Sequence, residues 1–93
     1  MKLDKEHLKI AEVHWADSLS GTGWTLTEDY EGDKPTDCFS IGILIDENDS
    51  AITIAQNYGL DPEQICNTMS IPKVAINSMR VREYSVKGKG YYA

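Results

Sequence analysis

Residues 40 to 56 read SIGILIDENDSAITIAQ, two β-branched apolar runs on either side of an acidic, polar break. Phe39, Ile41, Ile43 and Ile45 alternate with Ser40, Gly42 and Leu44, the period of two that marks a strand. Branched side chains favour a pleated strand over a helix. Asp46 to Ser50 supplies the turn, and Ala51 to Gln56 the returning strand. The middle of the chain is therefore expected to be a hairpin that the rest must pair with. Gly42 in mid-strand marks a bend, a bulge or a close backbone approach. Bending at such a point lets a short sheet curl.

Either side of the hairpin, the same kind of pattern returns. Ala11, Val13 and Trp15 alternate with Glu12 and His14, which predicts a half-buried strand from Lys9. Before it, Asp4 can cap one helical turn through Leu8, or the segment is a loose lead-in. DSLSGTG at 17 to 23 is a turn-rich link. Trp24 and Leu26 return briefly to apolar character. In TEDYEGDKPTD at 27 to 37, Thr27 can cap a short helical turn that Gly32 ends; otherwise the stretch is a solvated loop. Asp61, Pro62 and Gln64 follow a helix-start pattern and predict one helical turn. Strands are expected again at 65 to 71 and at 75 to 84. In the latter, Ile76, Met79 and Val81 form the apolar side, and Arg80 and Arg82 are exposed. Trp15, Trp24 and Phe39 are expected in the core. The final SVKGKGYYA reads as a flexible tail.

Ninety-three residues make one domain. Residues 9 to 84 are its expected folded core, and 85 to 93 the tail. A chain this short buries only roughly 60–65% of the surface its unfolded form exposes. One small core fits that limit, with little left for a deep pocket. No apolar run approaches the ~18 residues a membrane span needs. The N-terminal MKLDKEHLKI lacks the continuous apolar centre of a signal peptide, so a cytoplasmic site is expected. Cys38 and Cys66 then read as reduced core thiols.

The net charge of −6 is unevenly spread. Residues 1–66 carry four Lys/Arg against fourteen Asp/Glu, or −10; residues 67–93 carry five against one, or +4. Lys73, Arg80, Arg82, Lys87 and Lys89 are the candidate interaction surface. They can meet acidic loops of the same chain or of a neighbouring copy, or form a basic face for nucleic acid. Strong overall acidity opposes tight non-specific DNA binding, which needs several well-placed cations.

No motif carries catalytic or metal chemistry. Counted as a calcium loop from Asp46, the sixth position is Ala51 and the twelfth Asn57, where Gly and Glu are required. Cys38, Cys66, His7 and His14 have no zinc spacing. Gly21-Thr22-Gly23 lacks the strand and helix that frame a dinucleotide fingerprint. His14, Asp17, Ser18 and Ser20 are near in sequence, which does not make a triad. The expectation is a non-enzymatic protein without metal or cofactor.

Three blocks occur in order: HWADSLSGTGW, SIGILIDENDSAITIAQ and SIPKVAINSM. Trp15, Asp17, Gly23, Trp24, Ser40, Gly42, Leu44, Ile52, Ala55, Ile71, Pro72, Lys73 and Ile76 carry them. Together they resemble a group of small bacteriophage and prophage proteins, over roughly residues 13 to 79. The resemblance implies a phage-type origin and supplies no activity. Gly42, Leu44 and Asn48, with Ile71, Ile76 and Met79, also resemble the strand frame of the Sm-like barrels, which form RNA-binding rings. The polar elements that those barrels use for bases fall here on Ala51 and Ile52 and on Pro72 and Lys73. Ile52 and Pro72 have no side-chain donor for such a role.

The expected fold is all-β: a small five-stranded, strongly bent sheet or barrel of Sm or SH3 type, with one or two short helical turns. The expected function is that of a phage- or prophage-derived accessory protein. Its expected partners are copies of itself or another phage or host protein, with no membrane. The alternative is a nucleic-acid-binding small barrel using the C-terminal basic face.

Overall fold

The computed structural model describes residue 3 and residues 6–17, 24–32 and 34–85. Five strands form one antiparallel sheet: β1 (His7–Asp17), β2 (Thr36–Glu47), β3 (Ala51–Leu60), β4 (Glu63–Pro72) and β5 (Ile76–Ser85). Their order in the sheet is β4-β3-β2-β1-β5. Two 3-10 turns, Thr27–Asp29 and Lys73–Ala75, are the only helical elements among the described residues. The sheet is open, because β4 and β5 do not pair with each other. Of the expected tail at 85 to 93, Ser85 is the last residue of β5, and residues 86 to 93, like the GTG turn, lie outside the described residues.

The central hairpin forms as its sequence predicts. Asn48 Oδ1 accepts hydrogen bonds from the amides of Ser50 (2.8 Å) and Ala51 (3.0 Å). This side chain stands in for a backbone acceptor and fixes the turn. A bulge between Leu44 and Asp46 gives Ile45 no partner on β3 and strengthens the local twist.

Register and chain length together force the sheet to fold over. Pro72 pairs with Ala51 at one end of the sheet, and Ile76 pairs with Trp15 near the other. In a flat sheet these positions would be about 19 Å apart across the strands and a further ~25–30 Å along them. The three residues Lys73–Ala75 join them. That connection reaches only about 14 Å.

The curl is lined by one buried cluster: Ala11, Val13 and Trp15 from β1, Ile52 and Ile54 from β3, and Ile71 from β4. Removing each large side chain from water contributes about 1.5–3 kcal/mol. Gly42 lies beneath Ile54, and a Cβ on Gly42 would stand 2.9 Å from Ile54 Cβ. The expected close approach at this glycine is present. Trp15 Nε1 donates to Ser40 Oγ at 3.0 Å, which ties β1 to β2 inside the curl. Ser40→Ala should cost about 1–3 kcal/mol, because the part-buried indole N–H loses its acceptor. Urea unfolding of the variant measures this.

Four expectations are corrected. Phe39 is exposed, and so is Trp24. In β2 the small residues Cys38, Ser40 and Gly42 face the curl, opposite Trp15, Val13 and Ala11, which leaves Phe39, Ile41 and Ile43 on the outer side. The concave side of a tightly bent strand has less room, so the bulky residues fall outside. Asp61 and Pro62 start no helix. They form the two-residue turn of the β3–β4 hairpin, between Leu60 and Glu63, with a cis peptide bond before Pro62. A cis proline at the third position of a four-residue turn suits such a reversal. Cys66 is exposed on β4, not in the core, and Cys38 is half-buried; both are free thiols.

Candidate interaction surface

Three of the five predicted cations, Lys73, Arg80 and Arg82, lie among the described residues. Lys73 Nζ lies 2.9 Å from Glu47 Oε2, at the turn between β4 and β5. Arg82 Nε lies 2.9 Å from Glu12 Oε1, across from β5 to β1. Arg80 sits on the same outer side of β5 and makes no ion pair among the described residues. Lys87 and Lys89 lie outside the described residues. Exposed pairs of this kind contribute about 0–1 kcal/mol, and each occupies a cation that a phosphate would need.

Two surfaces that composition did not reveal stand out instead. The first is the pair of free strand edges. β4 and β5 are ten residues each, at opposite sides of the sheet. Among the described residues, no strand pairs with their outward N–H and C=O groups. On the core-facing side, Met69 of β4 is 45% exposed, and Met79 and Val81 of β5 are 38% and 42% exposed. Met69 pairs with buried Ile54, Met79 with buried Val13, and Val81 with buried Ala11. These three side chains continue the core to the sheet margins, where no strand among the described residues covers their outer flank. β3 also leaves β2 after the Ile43–Ala55 pair. There Gln56 Nε2 donates to the Ile41 carbonyl oxygen at 3.2 Å in place of a backbone group.

The second surface is the outer face of β2, β1 and β5. Phe39 is 63% exposed and Ile41 50%. Phe39 pairs with His14, and Ile41 with Glu12. A depression of about 380 Å³ opens here, lined by Glu12, His14, Phe39, Ser78, Met79 and Arg80.

Comparison with known proteins returns no matching family model, no matching curated protein and no matching solved structure.

His14 Nε2 and Asp37 Oδ1 are 3.9 Å apart on exposed side chains, too far for a hydrogen bond. Among the described residues, no three His, Cys, Asp or Glu side chains are placed to hold a metal ion. Among the described residues, no helix is long and apolar enough to cross a membrane. The signal for the edge surface was present in the sequence as Met69, Met79 and Val81, but only register shows that all three share the core-facing side.

Proposed function

We propose that this chain is a non-catalytic, cytoplasmic accessory protein of bacteriophage or prophage type. It works through protein–protein contacts and assembles with copies of itself along its open strand edges. The observation that carries this reading is the matched pair of ten-residue edges, each bordered by half-exposed apolar side chains. Free edges of this length are templates for strand addition. The three sequence blocks support the phage-type origin.

Charge selects which edges meet. Antiparallel pairing of β5 with β5 of another copy sets Arg80 and Arg82 against the same two residues, and like charges across a strand pair destabilise it. β4 carries no cation and a single acid, Glu63. Pairing β4 of one copy with β5 of the next avoids the clash. With the core-facing sides aligned, Met69 falls opposite Met79 or Val81, and both flanks are covered. Such head-to-tail contact builds a ring or a filament.

Light scattering on purified chain tests the reading. The expected mass exceeds two chains. Met69→Lys and Met79→Lys should each give single chains, because each spoils one edge. Their equimolar mixture should stop at two chains, since only one intact β4 edge and one intact β5 edge remain to pair. Single chains at every concentration of the unaltered protein contradict the proposal. Oligonucleotide binding that falls steeply with salt would favour the nucleic-acid alternative.

A further inference from the structure

Neighbouring strands of the sheet are antiparallel throughout the order β4-β3-β2-β1-β5. Four reversals separate β4 from β5, so the two edge strands run the same way. This decides how two copies can meet with their core-facing sides on one side. A copy slid sideways keeps its direction, and its β4 lies parallel to β5 of the first. A copy turned end over end within the sheet plane brings β5 to β5, or β4 to β4. A copy flipped over makes β4 and β5 antiparallel, but sets the apolar row of one edge beside the solvent-facing row of the other.

Side chains select one parallel register. Met69 faces the core, where Ser40 Oγ lies 4.0 Å from its sulfur. With Met69 beside Met79 of the next copy, Ile71 falls beside Val81, and on the solvent-facing side Thr68 falls beside Ser78 and Ser70 beside Arg80. Glu83 passes the last residue of β4, Pro72, clear of the apolar row. Asn67 then falls level with Asn77. Asn67 is left-handed (φ 56°) and stands outside the ladder with β3, and Asn77 stands outside the ladder with β1. Both edges are thus regular from the same level onward. A slip of two residues is the smallest that keeps the rows aligned. In one direction it sets Met79 beside Asn67 and the Glu83 carboxylate beside Ile71. Ile71 has no exposed surface, and a carboxylate there loses water without gaining a partner. In the other direction Met69 meets Asn77, and Val81 passes beyond the end of β4.

We propose that the contact between copies is parallel, with Thr68–Pro72 of β4 lying along Ser78–Arg82 of β5 in the next copy and Met69 beside Met79. The contact rests on the edge pairing proposed above and adds its direction and register. Parallel strands within one chain need a long crossover connection. Strands from separate copies need none.

Disulfide capture in the full chain tests this. Thr68 and Ser78 are exposed, so a cysteine at either leaves the core intact. Thr68→Cys and Ser78→Cys are made separately, each with Cys66→Ser to remove the exposed thiol nearby. Each should keep the mass of the unaltered protein in light scattering. Oxidation of their mixture should give a covalent dimer that neither variant gives alone, because a β4 cysteine meets only the β5 cysteine of another copy. Ser70→Cys mixed with Arg80→Cys should do the same, should either of the first pair fail to assemble. Tyr84→Cys with Cys66 retained is the counter-test. In the parallel register these two positions are roughly 26 Å apart along the strands, and oxidation should link no chains. Covalent dimer from Tyr84→Cys would mean antiparallel edges and overturn the proposal. Assembled mixtures that oxidation leaves unlinked would overturn it as well. Both results leave edge pairing itself standing, whereas single chains of the unaltered protein in light scattering would remove both.

Discussion

Ile52→Ala should lower the free energy of unfolding by about 2–5 kcal/mol. Ile52 has no exposed surface and lies in the cluster that joins β1, β3 and β4. Alanine removes the transfer energy of the lost carbons and leaves a void. The strands around it are held by register on both sides, so they collapse into the void only partly. A domain of this length has about 5–14 kcal/mol of stability in total, so a large share is lost. Ile71 is the direct cross-strand partner of Ile52 and equally buried. Ile71→Ala should cost about the same, and the double variant less than the sum, because both truncations open one cavity. Urea midpoints should fall with little change in slope. A loss under about 1 kcal/mol for either variant would mean that the curl is not closed over these residues.

Gly42→Val should cost about 3 kcal/mol, the upper end of the range for overpacking a filled interior. A Cβ on Gly42 would meet Ile54 Cβ at 2.9 Å, Ile54 Cδ1 at 3.1 Å and the Ala55 carbonyl oxygen at 3.1 Å. Two of these belong to or lie next to the backbone of β3 and cannot swing away. Relief requires β3 to lift from β2, which opens the cluster above it. Gly59 is the control. A Cβ there would stand 2.7 Å from Gln64 Cγ, on a flexible, exposed side chain that can turn aside. Gly59→Ala should therefore cost under about 1 kcal/mol. Thermal unfolding of the two variants under identical conditions should separate them clearly.

The contrast shows how much local sequence determines. Alternation at Ala11, Val13 and Trp15, the β-branched runs around Asn48 and the mid-strand Gly42 were enough to predict strands, a turn and a bend. Those features depend on neighbours along the chain. The side of β2 that faces inward does not. Phe39, Ile41 and Ile43 are bulkier than Cys38, Ser40 and Gly42, and bulk alone assigns them to the interior. Curvature decides otherwise: with Trp15 and Ile54 already crowding the concave side, only small residues fit beneath them. Asp61-Pro62 was ambiguous for a related reason. The same residues suit a helix start and a tight reversal, and the long pairing of β3 with β4 selects the reversal.

The interaction surface was less legible. Clustering in the last third of the sequence suggested a basic face from Lys73, Arg80, Arg82, Lys87 and Lys89. Of the three that are described, Lys73 and Arg82 meet Glu47 and Glu12, which are distant in sequence and adjacent in the sheet. The exposed edges could not be read before strand order was known. Five strands in the order β4-β3-β2-β1-β5 leave two strands half-paired, and that order places Met69 and Met79 at the sheet margins.

Hydrogen exchange measured at rising protein concentration tests the open-edge assembly most directly. The amides of β4 and β5 that point away from β3 and β1 should become protected together, over the same concentration range, while those already paired inside the sheet change little. Outward amides on both strands that exchange equally fast from dilute to concentrated solution would contradict it.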